Sequence, residues 1–144
     1  MARVIVGRPL VDGSAEGDAL VTHEPLSFWG GYDFRTGTII DRHHPLQGVC
    51  ATDRILAVPF SKGSSTTTAV LLEAVRAGTA PAAIVTAGAD AFFALASIVA
   101  GSMYGRAFPV IALEPSDFGA LTTGTRLRIE PHGRIHLDDE ASRD

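Results

Sequence analysis

Cysteine is nearly absent: the 144 residues hold one, Cys50. That excludes an internal disulfide, and a single thiolate cannot by itself hold a structural zinc or an iron–sulfur cluster. Histidine does not make up the shortfall. Of His23, His43, His44, His132 and His136, only His43 and His44 cluster, and adjacent side chains rarely ligate one metal. A metal or cofactor held wholly by this chain is not expected. Runs of Lys and Arg are also missing and the net charge is −4, which leaves no electrostatic footprint for nucleic acid. No apolar run reaches the roughly 20 residues that a bilayer demands. The longest, Ala91 to Met103, is interrupted by Ser97, Gly101 and Ser102, and no membrane partner is expected. The start has no charged-then-apolar leader pattern, so a cytoplasmic location is expected.

What remains is the composition of a compact domain: 46% hydrophobic, 19% charged, with 15 Gly and 8 Pro. The length suits one domain over residues 1–144. A strand-like run opens the chain from Ala2 to Leu10, and Gly17 to Thr22 reads as a second. From Arg54 the pattern alternates. "RILAVPF" reads as a buried strand, and Thr67 to Ala77 as a helix stopped by Gly78. "AAIVTAG" is the next strand, Asp90 to Gly101 a second helix capped by Asp90, and "FPVIALE" a third strand. Strands alternating with helices imply a βαβαβ unit and a parallel sheet. The end, "GTRLRIEPHGRIHLD", alternates at period two around Pro131, His132 and Gly133, as an antiparallel hairpin does. The fold class is therefore α/β, with a parallel centre and antiparallel strands from both termini.

Two stretches ask for a chemical explanation. The first is "VPFSKGSSTTTAVLLEA" from Val58 to Ala74, where a strand meets Lys62, Gly63, Ser64, Ser65 and Thr66 before the helix becomes apolar. Parallel α/β sheets bind ligands at the carboxyl ends of their strands. A glycine there lets the backbone approach a ligand, and the following amides favour an anion. Ser64 or Ser65 also makes an ordinary helix N-cap, and composition alone favours that plainer reading. The GxxxxGK[ST] loop and the GxSxG elbow are both absent. The second stretch runs from Pro25 to Gly48. It gathers Phe28, Trp29, Gly30, Gly31, Tyr32, Asp33, Asp41, Arg42, His43 and His44 without periodicity. Long ordered connections are often functional. Interface or substrate contact competes here with plain packing, in which Phe28 and Trp29 belong to the core. His43 and His44 could supply an imidazole acid or base, at most one of the two acting, while a plain structural role is the favoured reading for each taken singly. Cys50 is expected as a small buried residue. Asp138, Asp139, Glu140 and Asp144 read as a solvated acidic tail.

Taken in order, "PLSFWGGYDFRTGTIIDRHHPLQG", "ILAVPFSKGSSTTTAVLLEA" and "PAAIVTAGADAFFALASIVA" resemble the small subunit, or swivel domain, of the aconitase X family. The resemblance covers about Pro9 to Leu113. The most specific parts are the Phe-Trp-Gly-Gly loop and Lys62-Gly63-Ser64-Ser65, at this spacing. It implies a β/β/α fold that closes over a larger, metal-bearing subunit. In aconitases a Gly-Ser-Ser-Arg loop supplies a serine base. Gly63-Ser64-Ser65-Thr66 matches it, so the resemblance makes Ser64 the base, with Lys62, Gly63, Ser65 and Thr66 binding substrate. Thr66 stands where the arginine would, which puts in doubt an aconitase-style grip on a tricarboxylate. Trp29, Gly30, Gly31, Asp33, His43 and His44 would form the interface or substrate loop.

Family members are dehydratases; the bacterial type acts on cis-3-hydroxy-L-proline and the archaeal type on mevalonate 5-phosphate. The Ser/Thr-rich continuation after Ser65 is closer to the bacterial type. The implied reaction removes a proton beside a carboxylate and expels a hydroxyl. A free serine is a weak base and needs activation, for which the helix start, Lys62 and closure against water are available. An iron or iron–sulfur centre in the large subunit is expected to act as the Lewis acid. The substrate is thus expected to be a small hydroxy acid. The competing reading is a non-catalytic module that binds a partner through the 25–48 loop.

Overall fold

A computed structural model describes residues 3–62 and 65–138. Its strands are β1 (Arg3–Val6), β2 (Arg8–Val11), β3 (Ala15–Val21), β4 (Leu26–Ser27), β5 (Tyr32–Asp33), β6 (Thr38–Ile39), β7 (Ile55–Ala57), β8 (Ser61–Lys62), β9 (Ala83–Ala87), β10 (Val110–Leu113), β11 (Arg126–Glu130) and β12 (Arg134–Leu137). The helices are α1 (Ser65–Ala77), α2 (Ala91–Tyr104) and the short α3 (Pro115–Phe118).

Eight strands form one sheet in the order β1-β12-β11-β3-β7-β9-β10-β2. Its centre is parallel: β3 pairs with β7, β7 with β9 and β9 with β10. Antiparallel strands flank it, β11 on β3, β12 on β11, β1 on β12 and, at the far end, β2 on β10. β7, β9 and β10 are buried on both faces, which is why they read as near-continuous apolar runs. Alternate residues enter different cores. Ile55, Ala57, Ala83, Val85 and Ile111 join Ile5, Leu127, Ile129 and Ile135, between the parallel strands and the antiparallel arm. Leu56, Val58, Ile84 and Val110 face Val70, Leu71, Ala74, Phe93 and Ala96 of the two long helices, with Phe28 and Ile39 from the 26–51 connection. Two sheet layers and a helical layer result, the α/β class expected. Burying each large aliphatic side chain on these interfaces is worth about 1.5–3 kcal/mol.

The opening run is not one strand. β1 and β2 stand at opposite ends of the strand order although only Gly7 separates them. The chain crosses there from one layer to the other. A Cβ at Gly7 would lie 2.5 Å from Ile111 Cγ2, 2.6 Å from Leu113 Cδ2 and 2.9 Å from the Ala112 carbonyl. Only a residue without a side chain makes that crossing, while the Gly7 N–H still donates to the Gly133 carbonyl at 2.8 Å.

The two expected helices form. α1 starts at Ser65, two residues earlier than its apolar spacing suggested, and ends before Gly78. α2 is capped by Asp90, whose carboxylate accepts from the amides of Phe92 at 3.0 Å and Phe93 at 3.1 Å. β11 and β12 form the expected hairpin. The 25–48 stretch is more ordered than a plain loop: it holds β4 and the small antiparallel β5–β6 pair. No helix among the described residues is long and apolar enough to cross a membrane.

Candidate active site

All four parallel strands deliver their carboxyl ends to one edge of the sheet. β3 leads there into Thr22, His23 and Glu24; β7 into Val58 to Lys62; β9 into Gly88 to Asp90; and β10 into Glu114. The decisive local feature is a two-residue parallel pair, β4 with β8, in which Leu26 aligns with Ser61 and Ser27 with Lys62. It joins the two stretches that sequence singled out, 35 residues apart, just before the Phe-Trp-Gly-Gly loop and just before Gly63.

Two further attachments hold this pair. Asp90 is buried and uses both carboxylate oxygens: Oδ1 caps α2, while Oδ2 accepts from the Ser61 amide at 2.7 Å. On the other side, Gly31 packs against the Ser27 carbonyl so closely that a Cβ would lie 2.0 Å from it. Lys62 is exposed at the end of β8. α1 then begins at Ser65 with no acidic residue in its first turn, so no carboxylate of that turn offsets its positive end. Thr66 is half-buried there. Thr67 is fully buried, with no hydrogen-bond partner for its hydroxyl among the described residues. Gly63 and Ser64, the expected backbone approach and base, lie outside the described residues, as does the Ser65 side chain.

The 25–48 loop divides into packing and surface. Phe28 is fully buried, 5.0 Å from the Tyr32 ring centroid and 5.7 Å from that of Phe93. Trp29, one of the two residues proposed for the core, is instead 69% exposed. It walls a cleft of about 450 Å³ with Phe28, Tyr32, Asp33, Phe34, Arg35, Ile40 and Val70. Gly30 sits at the cleft with φ +73°. Asp33, which lines the cleft, accepts at Oδ1 from the Arg35 amide at 2.9 Å, a turn-making bond. Arg35 was not singled out by the sequence pattern; it is the cation of this cleft. A second concavity, about 570 Å³, lies at the carboxyl ends of β9 and β10 beside the Gly7 crossing.

The two adjacent histidines have different environments. His44 is buried and both ring nitrogens are engaged by backbone: Nδ1 accepts from the Leu46 amide at 3.1 Å, and Nε2 faces the Glu24 carbonyl at 3.4 Å. The Nδ1 bond leaves the proton on Nε2, where it points at the carbonyl, so His44 fastens the loop. His43 is exposed and its amide donates to Asp41 Oδ1 at 3.0 Å. Cys50 is exposed, not buried as expected, because it lies on an isolated bridge to Thr38 with its thiol at the Thr36 carbonyl. Tyr32 is buried and donates to the Thr79 carbonyl at 2.7 Å; burial pushes its phenol well above the usual range. The residues described do not fit a metal. Cys50 and the engaged His44 point to separate backbone carbonyls, and no three His, Cys, Asp or Glu side chains converge.

The sequence profile of the aconitase X swivel domain matches residues 4–137. The chain belongs to the aconitase X swivel-domain family. It is 48% identical over 141 residues to the cis-3-hydroxy-L-proline dehydratase of Pseudomonas aeruginosa, covering 97% of this chain and 24% of that protein. A protein of the same name from Hypocrea jecorina is 39% identical over 80% of this chain and 19% of its own length. The chain thus spans a quarter or less of these two relatives. Against the phosphomevalonate dehydratase small subunit of Pyrococcus furiosus it is 37% identical, covering 86% of this chain and 87% of that one. Among solved structures, aconitase X of Thermococcus kodakaraensis in its holo-form superposes with a TM-score of 0.84 at 29% identity, over 95% of this chain and 99% of the matched chain. The α/β fold described above is thus shared with that aconitase X structure.

Proposed function

We propose that this swivel domain is one part of a hydro-lyase that dehydrates cis-3-hydroxy-L-proline, with Ser64 as the base and a large subunit carrying the metal centre. The observation that carries this reading is the pairing of β4 with β8, which unites the Trp29 loop and the approach to Ser64 at the carboxyl edge of the parallel strands. Identity to the Pseudomonas dehydratase runs through nearly the whole chain and supports the choice of substrate.

Dehydration needs a base to take the proton beside the substrate's carboxylate while the neighbouring hydroxyl leaves as water. α1 offers its first-turn amides, with no carboxylate in that turn, and Lys62 stands before it. Both favour the substrate's carboxylate and a serine oxygen that bears negative charge. A metal centre in the large subunit would supply the Lewis acid that draws off the hydroxyl; among the described residues of this chain no three His, Cys, Asp or Glu side chains converge. A large partner is also supported by the surface: Trp29, Phe60, Phe92, Leu95, Ile98 and Met103 are all exposed. Apolar side chains gathered on one helix and the adjoining loops mark contact surfaces.

The test is reconstitution with the large subunit, assayed on cis-3-hydroxy-L-proline and on mevalonate 5-phosphate. Turnover of the first substrate is expected, and Ser64→Ala removes it by at least about 10²–10⁴-fold while folding and association persist. Turnover of the second alone moves the substrate assignment to the other branch. Near-normal activity of Ser64→Ala rejects the base.

A further inference from the structure

We infer that Asp90 is a positioning residue for the serine loop, and that its service to the loop is separable from its capping of α2. The inference rests on the hydro-lyase reading above. One carboxylate does both tasks with different oxygens. Oδ1 receives the amides of Phe92 and Phe93, and Oδ2 receives the amide of Ser61 at 2.7 Å. Ser61 lies two residues before Gly63, in the strand that ends at Lys62. A helix cap needs a single acceptor, and a serine serves as well as an aspartate. The second oxygen therefore does something the cap does not require. It reaches across 29 residues of sequence to fix the backbone from which the loop departs. The carboxylate is buried, so water does not readily replace it. The same two residues are held from the opposite side by β4, which leaves β8 clamped between two connections.

A serine base must stand within hydrogen-bond reach of the proton it takes, and an ångström of misplacement costs about 10²-fold in rate. Releasing Ser61 while keeping α2 intact is expected to act on kcat rather than on substrate affinity.

The experiment compares Asp90→Ser and Asp90→Ala in the swivel domain assembled with its large subunit. Serine keeps the cap and cannot reach Ser61; alanine loses both. Amide exchange is expected to rise at Ser61 in both variants, and at Phe92 and Phe93 only in Asp90→Ala. Both variants are expected to lose about 10- to 100-fold in kcat, with KM within twofold, although Asp90→Ala has the lower Tm. If kcat instead follows Tm, with Asp90→Ser near wild type, Asp90 is only a cap and the inference is overturned. Unchanged exchange at Ser61 in Asp90→Ser overturns the tether directly. Absence of turnover in the wild-type assembly refutes the hydro-lyase reading, whereas the exchange comparison still decides whether Asp90 holds Ser61.

Discussion

Gly31→Ala is expected to be the more damaging of two neighbouring substitutions, because Gly30 and Gly31 are glycines for different reasons. Gly30 has φ +73° and nothing within 4 Å of the place a Cβ would occupy. Alanine there has room but adopts a left-handed backbone, at about 1–2 kcal/mol, partly offset by about 0.4–1 kcal/mol from a stiffer unfolded chain. Gly31 has no such backbone demand, yet its Cβ would lie 2.0 Å from the Ser27 carbonyl and 3.4 Å from Asp41 Cβ. Real Cβ atoms do not come within 3.0 Å of other atoms, so the two must part by about 1 Å or more. The obstacle is backbone and cannot rotate away. Moving it strains β4, whose Ser27 aligns with Lys62, and the bond from the Ile40 amide to the Gly31 carbonyl at 2.9 Å. Overpacking costs about 1–3 kcal/mol where side chains can adjust, and a backbone clash belongs at the upper end. At about 2–4 °C per kcal/mol for a chain near this size, about 3 kcal/mol lowers Tm by roughly 6–12 °C. Gly30→Ala, at a net of about 1 kcal/mol, lowers it by roughly 2–4 °C. Thermal unfolding followed by far-UV circular dichroism reads both. Equal losses, or a larger loss in Gly30→Ala, would refute the packing argument around Ser27.

Two further outcomes depend on titration. Burial raises the Tyr32 phenol far above 10, so the folded state holds the neutral form while the unfolded chain ionises near pH 10; the stabilisation is complete below that pH and is lost as pH rises. Tyr32→Phe should flatten the fall in urea midpoint between pH 9 and 11, at a cost of about 1 kcal/mol at neutral pH from the bond to Thr79; an unchanged alkaline slope would contradict it. At the acid end, a hydrogen bond with His136 lowers the Glu130 carboxyl below 4.5, helped by Arg128 and Arg134. That contribution is present above pH 4.5 and disappears as pH falls through the folded-state value, so Glu130→Gln should lose less stability than wild type on going from pH 5 to pH 3. A steeper acid loss in the variant would reverse the sign and reject the pairing.

The parallel centre was legible because a strand buried on both faces must be apolar throughout, and Ile55–Ala57 and Val110–Leu113 are. The terminal hairpin was legible because one buried face imposes period two: Leu127 and Ile129 are inside, Arg126 and Arg128 outside. Gly7 was not. Its role depends on Ile111 and Leu113, a hundred residues further on, and nothing between Val6 and Arg8 marks a crossing. Two-residue strands such as β4 and β8 have no period to read; only their mutual alignment defines them. The same limit separates His43 from His44. They are chemically identical neighbours, and only the folded chain sets one of them, His44, against the Glu24 carbonyl and the Leu46 amide. Asp90 was half legible. A carboxylate before an apolar helix announces a cap, but its second oxygen has no signature in sequence.

Under the proposed function, these long-range attachments bear on how a base would be presented to a substrate held by another body. Ser61 and Lys62 are paired with β4, Asp90 from the turn before α2 holds Ser61, and Val70 and Leu71 embed the following helix in the core. The positions at which residue 62 ends and residue 65 begins are therefore set within this domain, before any partner arrives. If the base had to be ordered only on assembly, each residue fixed would add about 1–2 kcal/mol of conformational entropy to the closing step. One unfavourable kcal/mol and a half is already a factor of ten in rate. A domain that brings a base to a substrate held by another body avoids that loss only by folding the approach to the base in advance. On the proposed function, this would be the work that Asp90, Ser27 and Gly31 share, although none of them belongs to the Gly-Ser-Ser sequence itself.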